Sequence, residues 1–215
     1  MDRRKALKNM GLALGYTVAT PTLISLVQSC KQDAAITWTP DFLSPTEGSM
    51  LTRLVDIILP KTDTPSASEV QVHIFIDRFA DQVMKKEQQD LFKMTMGKFL
   101  DKALQDSGKK EIADLGPEHL EPVLSAALKI SKEDEAKKFQ VINAYTESVK
   151  AGETASLDDE VSRFAFANNL RGLTILAYKS SEFVGENVLS YLPVPGEYIA
   201  CGDLQELTGG KAWSL

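Results

Sequence analysis

Apolar residues recur at helical spacing along most of the chain after Thr46. Leu51, Leu54, Val55, Ile58 and Leu59 keep the i, i+3, i+4, i+7, i+8 rhythm of one buried helix face, and Pro60 ends that run. Lys61 to Ser68, rich in Thr, Ser and Pro, reads as a loop. Val72, Phe75, Ile76, Phe79, Ala80 and Val83 predict a second amphipathic helix. A third spans Glu87 to Asp106, with Leu91, Phe92, Met94, Phe99 and Leu104 on a broad apolar face and Ser107-Gly108 as its stop. Pro117 and Glu118 open a fourth, which reaches Ile130, and Ser131-Lys132-Glu133-Asp134 caps a fifth that runs to Lys150. Leu157 to Tyr178 is the longest. No segment alternates in the way a strand does, so the expected architecture is all-α, a single bundle of about six helices with no internal repeat. After Tyr178 the periodicity stops, and an extended Pro-, Gly- and Tyr-rich C-terminal strap is expected.

The first thirty residues are a different material. Asp2-Arg3-Arg4-Lys5-Ala6-Leu7-Lys8 is a short basic stretch, followed by an uncharged, mildly apolar run from Met10 to Ser29 and then by Cys30. A basic start, an apolar middle and small residues at a break are the pattern of an export signal. Arg3-Arg4 resembles the twin-arginine signal, with Asp2 and Ala6 in place of the usual Ser/Thr and Phe. Val27-Gln28-Ser29-Cys30 resembles a lipobox, in which the Cys is lipidated and becomes the mature N-terminus. The competing reading is an uncleaved signal anchor, which Pro21 and the many Thr and Gly disfavour. The expected organisation is therefore an export signal over residues 1–29, a tether over 30–45 and a helical domain over 46–215. In the tether, Trp38 and Phe42 either cover an edge of the domain or touch a partner.

Composition narrows the chemistry. The 215 residues carry a formal charge of −6, and loss of residues 1–29 would remove Arg3, Arg4, Lys5, Lys8 and Asp2, taking it to −9. Such a surface has no basic footprint for nucleic acid. The 2 Cys and 2 His, scattered at positions 30, 73, 119 and 201, have none of the close spacing of a Cys/His zinc site, two Cys are too few for a four-Cys cluster, and no Cys-x-x-Cys-His run attaches haem. Dinucleotide, Walker, G-x-S-x-G and H-E-x-x-H motifs are missing from the sequence. His73, beside an apolar stripe, and His119, in a first turn, read as boundary or surface histidines. Acidic runs such as Asp158-Asp159-Glu160 sit at helix starts, where the macrodipole favours them. No catalytic, cofactor-binding or metal-binding residue is assigned to this chain.

Two blocks far apart carry a family pattern. Leu54-Val55-Asp56-Ile57-Ile58-Leu59-Pro60-Lys61-Thr62-Asp63-Thr64-Pro65 is one, with Ser66 where Gly is usual. Tyr178-Lys179-Ser180-Ser181-Glu182, leading to Leu189-Ser190-Tyr191-Leu192-Pro193-Val194-Pro195-Gly196-Glu197-Tyr198, is the other. Together they resemble the gluconate 2-dehydrogenase subunit 3 (small subunit) family over about residues 46–202. The resemblance implies a non-catalytic small subunit of an FAD-dependent, glucose-methanol-choline-type dehydrogenase of sugars or sugar acids. It implies FAD in the large subunit, often haem c in a cytochrome subunit, and co-export of the folded complex by the twin-arginine machinery. The expected location is the periplasm, held to a membrane through lipid on Cys30. A stand-alone exported lipoprotein binding module is the alternative. Asp63, Thr64, Pro65, Tyr178, Ser181, Glu182, Tyr191, Pro195, Gly196 and Tyr198 are the candidate interface residues. Local capping competes with partner contact at Asp63-Thr64-Pro65 and at Ser181-Glu182. Cys201 is either an intersubunit thiol or a buried free one.

Overall fold

Three of the long helices start where a short polar side chain, Ser44, Ser131 or Asp158, supplies a bond that the first turn lacks. Ser44 and Glu47 form a reciprocal box, Ser44 Oγ accepting from the Glu47 amide at 3.3 Å and Glu47 Oε2 from the Ser44 amide at 2.8 Å. With Pro45 at the first helical position, this opens α1, Pro45–Ile58. α2 is Val72–Gln82 and α3 is Lys86–Ser107, which ends on Gly108 at φ 66°, where a side chain would be strained. A 3-10 turn at Ile112–Asp114 leads to α4, Pro117–Leu128. Ser131 caps α5, Lys132–Lys150, and Asp158 caps α6, Asp159–Lys179. A π-helical turn at Val184–Val188 and the five-residue α7, Leu204–Thr208, follow. The computed structural model describes residues 38–192, 196, 199 and 201–214. Among these, six α-helices of 11 to 22 residues and the short α7 are present, with no strand beyond one isolated bridge. The all-α expectation holds.

α6 is the hub and packs against each of α1 to α5. Its buried Phe166, Ala167 and Leu170 meet Met50, Leu51, Leu54 and Val55 of α1, Phe92, Met96, Phe99 and Leu100 of α3, and Leu120 and Leu124 of α4. Phe42, Phe92, Phe166 and Phe99 form an aromatic chain with successive ring centroids 6.4, 5.7 and 5.1 Å apart. α5 has no fully buried residue and leans chiefly on α6. Among the described residues no helix is long and apolar enough to cross a membrane.

Four features stand out beside the sequence reading. The compact unit begins at Thr39, because the fully buried Asp77 carboxylate binds the segment before α1. Its oxygens accept the amides of Asp41 at 2.6 Å and Leu43 at 2.9 Å, with Phe42 shared between them at 3.3 and 3.4 Å. His73 is buried at 8% exposure rather than lying at the surface. His119 is partly covered, its Nδ1 accepting the Gly116 amide at 2.9 Å, which caps α4. The strap also has structure of its own. The Ser190 amide donates to Ala212 O and the Ser214 amide to Ser190 O, forming the Ser190–Trp213 bridge.

Candidate partner-docking surface

The first family block folds into a loop braced from several sides. The Ala67 amide reaches back to Leu59 O at 3.0 Å, and the Thr62 amide donates to Thr64 O at 3.0 Å. Asp56, in the last turn of α1, accepts both the amide and the hydroxyl of Ser68, at 2.7 and 2.6 Å. Glu69 accepts the Ser66 amide at 2.8 Å and pairs with Lys61 at 2.6 Å. The Lys61 hydrogen bond, helped by the Ser66 amide, holds the Glu69 carboxyl below its ordinary range. His73 lies just beyond. Burial pushes its imidazole below the ordinary value, and the nearby Asp56 charge only partly opposes this.

The second block meets this loop. Tyr178, in the last turn of α6, donates its hydroxyl to Pro65 O at 2.8 Å across 113 residues of sequence. Ser181 Oγ then donates to Tyr178 O at 2.7 Å, so Ser181 closes the end of α6 instead of capping the turn that follows. The two motifs are thus parts of one structural junction.

Beside that junction lies a groove of about 430 Å³ between the outer side of α2 and the end of α6. Ile74, Phe75, Phe79, Val83 and Ala177 give it an apolar lining, and Arg78 is the charged residue at its rim. Phe75 and Phe79 stack with centroids 5.9 Å apart. Phe75 remains 40% exposed and Val83 62%. Leu176 and Phe183, which neighbour the lining residues Ala177 and Ser181 in sequence, are 46% and 50% exposed. Apolar side chains gathered at one end of an acidic, folded unit have the character of an interaction site, which is the commonest meaning of such a patch.

Phe75 and Val83 were assigned to the core stripe of α2 by sequence. The signal that separates them is positional: Phe75 is at the margin of the stripe, and Val83 comes one residue after the last helical position. Asp63 and Glu182 are exposed, while Thr64, Pro65, Tyr178 and Ser181 are half-buried. Tyr191, Gly196 and Cys201 lie exposed on the strap, Cys201 as a free thiol. Arg3, Arg4, Cys30, Pro195 and Tyr198 lie outside the described residues. No three His, Cys, Asp or Glu side chains gather as metal ligands among the described residues.

Comparison with known proteins agrees with the two blocks. A family model described as gluconate 2-dehydrogenase subunit 3 matches residues 45–196. Neither the curated proteins nor the solved structures give a significant match. The family match begins at the first residue of α1, ends at Gly196 in the strap and takes in the whole docking groove, more than two-thirds of the sequence. The chain belongs to the gluconate 2-dehydrogenase subunit 3 family.

Proposed function

We propose that this chain is the non-catalytic small subunit of an exported FAD-dependent dehydrogenase of the glucose-methanol-choline type, acting on a sugar or sugar acid. Its work is to assist assembly, twin-arginine co-export and membrane attachment of the flavoprotein subunit. The observation that carries this reading is the family match over residues 45–196, which gives an accessory role in a dehydrogenase complex. The groove beside the Tyr178–Pro65 junction supports it, because a subunit that works by docking needs uncovered apolar surface.

The physical logic is economical. A flavoprotein takes up FAD while folding in the cytoplasm, and the twin-arginine route carries folded cargo. One signal at Arg3-Arg4 therefore serves two chains if they are docked before export. Acylation at Cys30 then holds the complex on a membrane with no spanning helix, and FAD and haem c belong to partner subunits. Asp77 fixes residues 41–43 to α2, the helix that also lines the groove.

The test is capture of the full chain from membranes, with the flavin absorbance of the eluate recorded. A second subunit with a flavin spectrum is expected, and Phe75→Lys removes both while leaving the fold intact. A colourless eluate that holds this chain alone overturns the proposal. Arg3→Lys with Arg4→Lys retains both proteins in the cytoplasm; a partner that still reaches the periplasm refutes the carrier role.

A further inference from the structure

α5 carries Phe139, Val141, Ile142, Tyr145 and Val149, yet none of its 19 residues is fully buried. It packs against α6 and hardly touches α3, so the seam between α3 and α5 stays open. One cavity in that seam, of about 240 Å³, lies between Phe92 and Thr95 of α3 and Phe139 and Ile142 of α5, with Ala165 and Asn168 of α6 beside them. A second, of about 440 Å³, lies between Lys85 and Glu87 on one side and Tyr145, Val149 and Lys150 on the other. Gln88, Leu91 and Thr146 line both, which makes them one crevice. The start of α3 faces the end of α5, so the two helices run antiparallel. From Phe139 to Lys150 the crevice follows α5 for about 16 Å.

Polar side chains in the wall are already bonded. Thr95 Oγ1 donates to Leu91 O at 2.7 Å, and Thr146 Oγ1 donates to Ile142 O at 2.8 Å. Asn168 Oδ1 accepts from Arg171 at 2.8 Å, and Gln88 Oε1 accepts the Lys85 amide at 2.9 Å. A polyol or a nucleotide would lose its hydration here and find few partners in exchange. A peptide helix, about 10 Å across, would need about 1,200 Å³ over the same length, more than the crevice holds. A single hydrocarbon chain is narrow enough, and it gains from every CH₂ it buries. One end of the crevice is charged: two ammonium groups, Lys85 and Lys150, stand there against one carboxylate, Glu87. Lys150 also pairs with Glu147 at 2.7 Å, in an exposed contact that water weakens. Long lysine stems let both ammonium groups reach a head group that remains in water.

We infer that the α3–α5 seam binds a single-chain fatty acid, with its tail along Leu91, Phe92, Phe139 and Ile142 and its carboxylate at the mouth beside Lys85 and Lys150. The inference is independent of the docking reading, because the seam shares no lining residue with the groove between α2 and α6. An acyl chain in the seam gives α5 the apolar cover that its own packing lacks, so binding also stabilises the folded chain.

Dodecanoate, kept below its micellar concentration, is titrated into the full chain and followed by calorimetry and by amide chemical shifts. Saturable one-to-one binding is expected, with shifts clustered over residues 85–95 and 139–150. Affinity rises about fourfold for each CH₂ from octanoate to dodecanoate, the worth of burying one methylene. Ile142→Glu places a charge against the tail, on a residue outside the core cluster, and affinity falls at least about tenfold. Lys85→Glu, at the exposed mouth, leaves the fold untouched; it weakens dodecanoate about threefold and leaves dodecanol unchanged. Absence of saturable binding overturns the inference, as does an affinity that does not grow with chain length. Shifts confined to the groove between α2 and α6 overturn it too, as does undiminished affinity in both variants. Dodecanol or dodecyltrimethylammonium binding as tightly as dodecanoate overturns the assigned head group. Both variants should still capture the flavoprotein, so failure here and failure of docking are separately visible.

Discussion

Replacing Asp77 tests whether one buried carboxylate holds the start of the domain in place. Its two oxygens take three consecutive backbone amides, from Asp41, Phe42 and Leu43, and the side chain is fully buried. In Asp77→Ala the buried Leu43 amide loses its acceptor, at about 2 kcal/mol, and the partly buried Asp41 amide adds about 1 kcal/mol, since water reaches it more easily. The cost has a ceiling, because residues 39–44 can detach. Detachment gives up the burial of Leu43 and the packing of Phe42 on Phe92, about 3–5 kcal/mol together. The expected loss is therefore about 3–4 kcal/mol, a fall in Tm of about 10 °C for a domain of this size. Asp77→Asn keeps one acceptor and turns an amide group toward a donor, so it should lose about half as much. Urea unfolding followed by circular dichroism measures both variants, and limited proteolysis reports whether cleavage after Asp41 becomes fast. A loss under about 1 kcal/mol, or an Asn variant weaker than the Ala variant, would refute the idea that these bonds anchor the segment.

Other expectations follow from the same geometry. Tyr178→Phe removes only the hydroxyl that joins the two family blocks; stability should drop by about 1 kcal/mol and partner capture should weaken, and unchanged values in both assays would show the junction to be idle. His73 is held below its ordinary value of 6.5 by burial, so the unfolded chain binds the proton more readily. Its contribution is complete above pH 6.5 and is lost as pH falls through the lower folded-state value, a slope that His73→Phe should flatten in denaturation curves taken across that window. A chain ending at Leu189 keeps the buried Val184 and the whole core, and should unfold cooperatively near the wild-type midpoint while capturing much less partner. A truncated chain that captures partner undiminished would confine docking to the groove.

The elements were legible because the signals that set them are local. Ser131 and Asp158 mark helix starts through bonds to amides two or three residues on, and Gly108 marks a stop through its own φ. The docking groove was only half legible. Phe75 has the spacing of a core residue, and what leaves it exposed is the position of α6, which no window around Phe75 contains. His73 illustrates the reverse: a polar residue beside a stripe is buried, within reach of the Asp56 charge. The family pattern marked both ends of the Tyr178–Pro65 bond, yet the bond itself spans 113 residues and has no local signature. Asp77 is the plainest omission. A carboxylate within an amphipathic helix usually faces water, and here three amides from the preceding segment meet it instead.

The size of the exposed apolar set constrains how a partner sits on it. Phe75, Val83, Leu176 and Phe183 are 40–62% exposed. Taking about 200 Å² for a fully exposed large side chain, they offer roughly 80–120 Å² each, or about 400 Å² in all. A stable, specific complex buries about 800 Å² on each partner. These four side chains therefore supply about half of what a lasting subunit contact needs. The strap carries the obvious remainder: Tyr191, Leu192, Ile199, Leu204, Leu207 and Trp213 are all at least 38% exposed. Acidic residues Glu182, Glu186, Asp203 and Glu206 are interspersed with them, which disfavours an anionic lipid surface and favours a protein face with basic groups at its rim. The Ser190–Trp213 bridge joins the two ends of this segment, so part of its ordering cost is met before a partner arrives. On this reasoning the groove sets the register through Phe75 and Val83, and the strap supplies the area that makes the contact last.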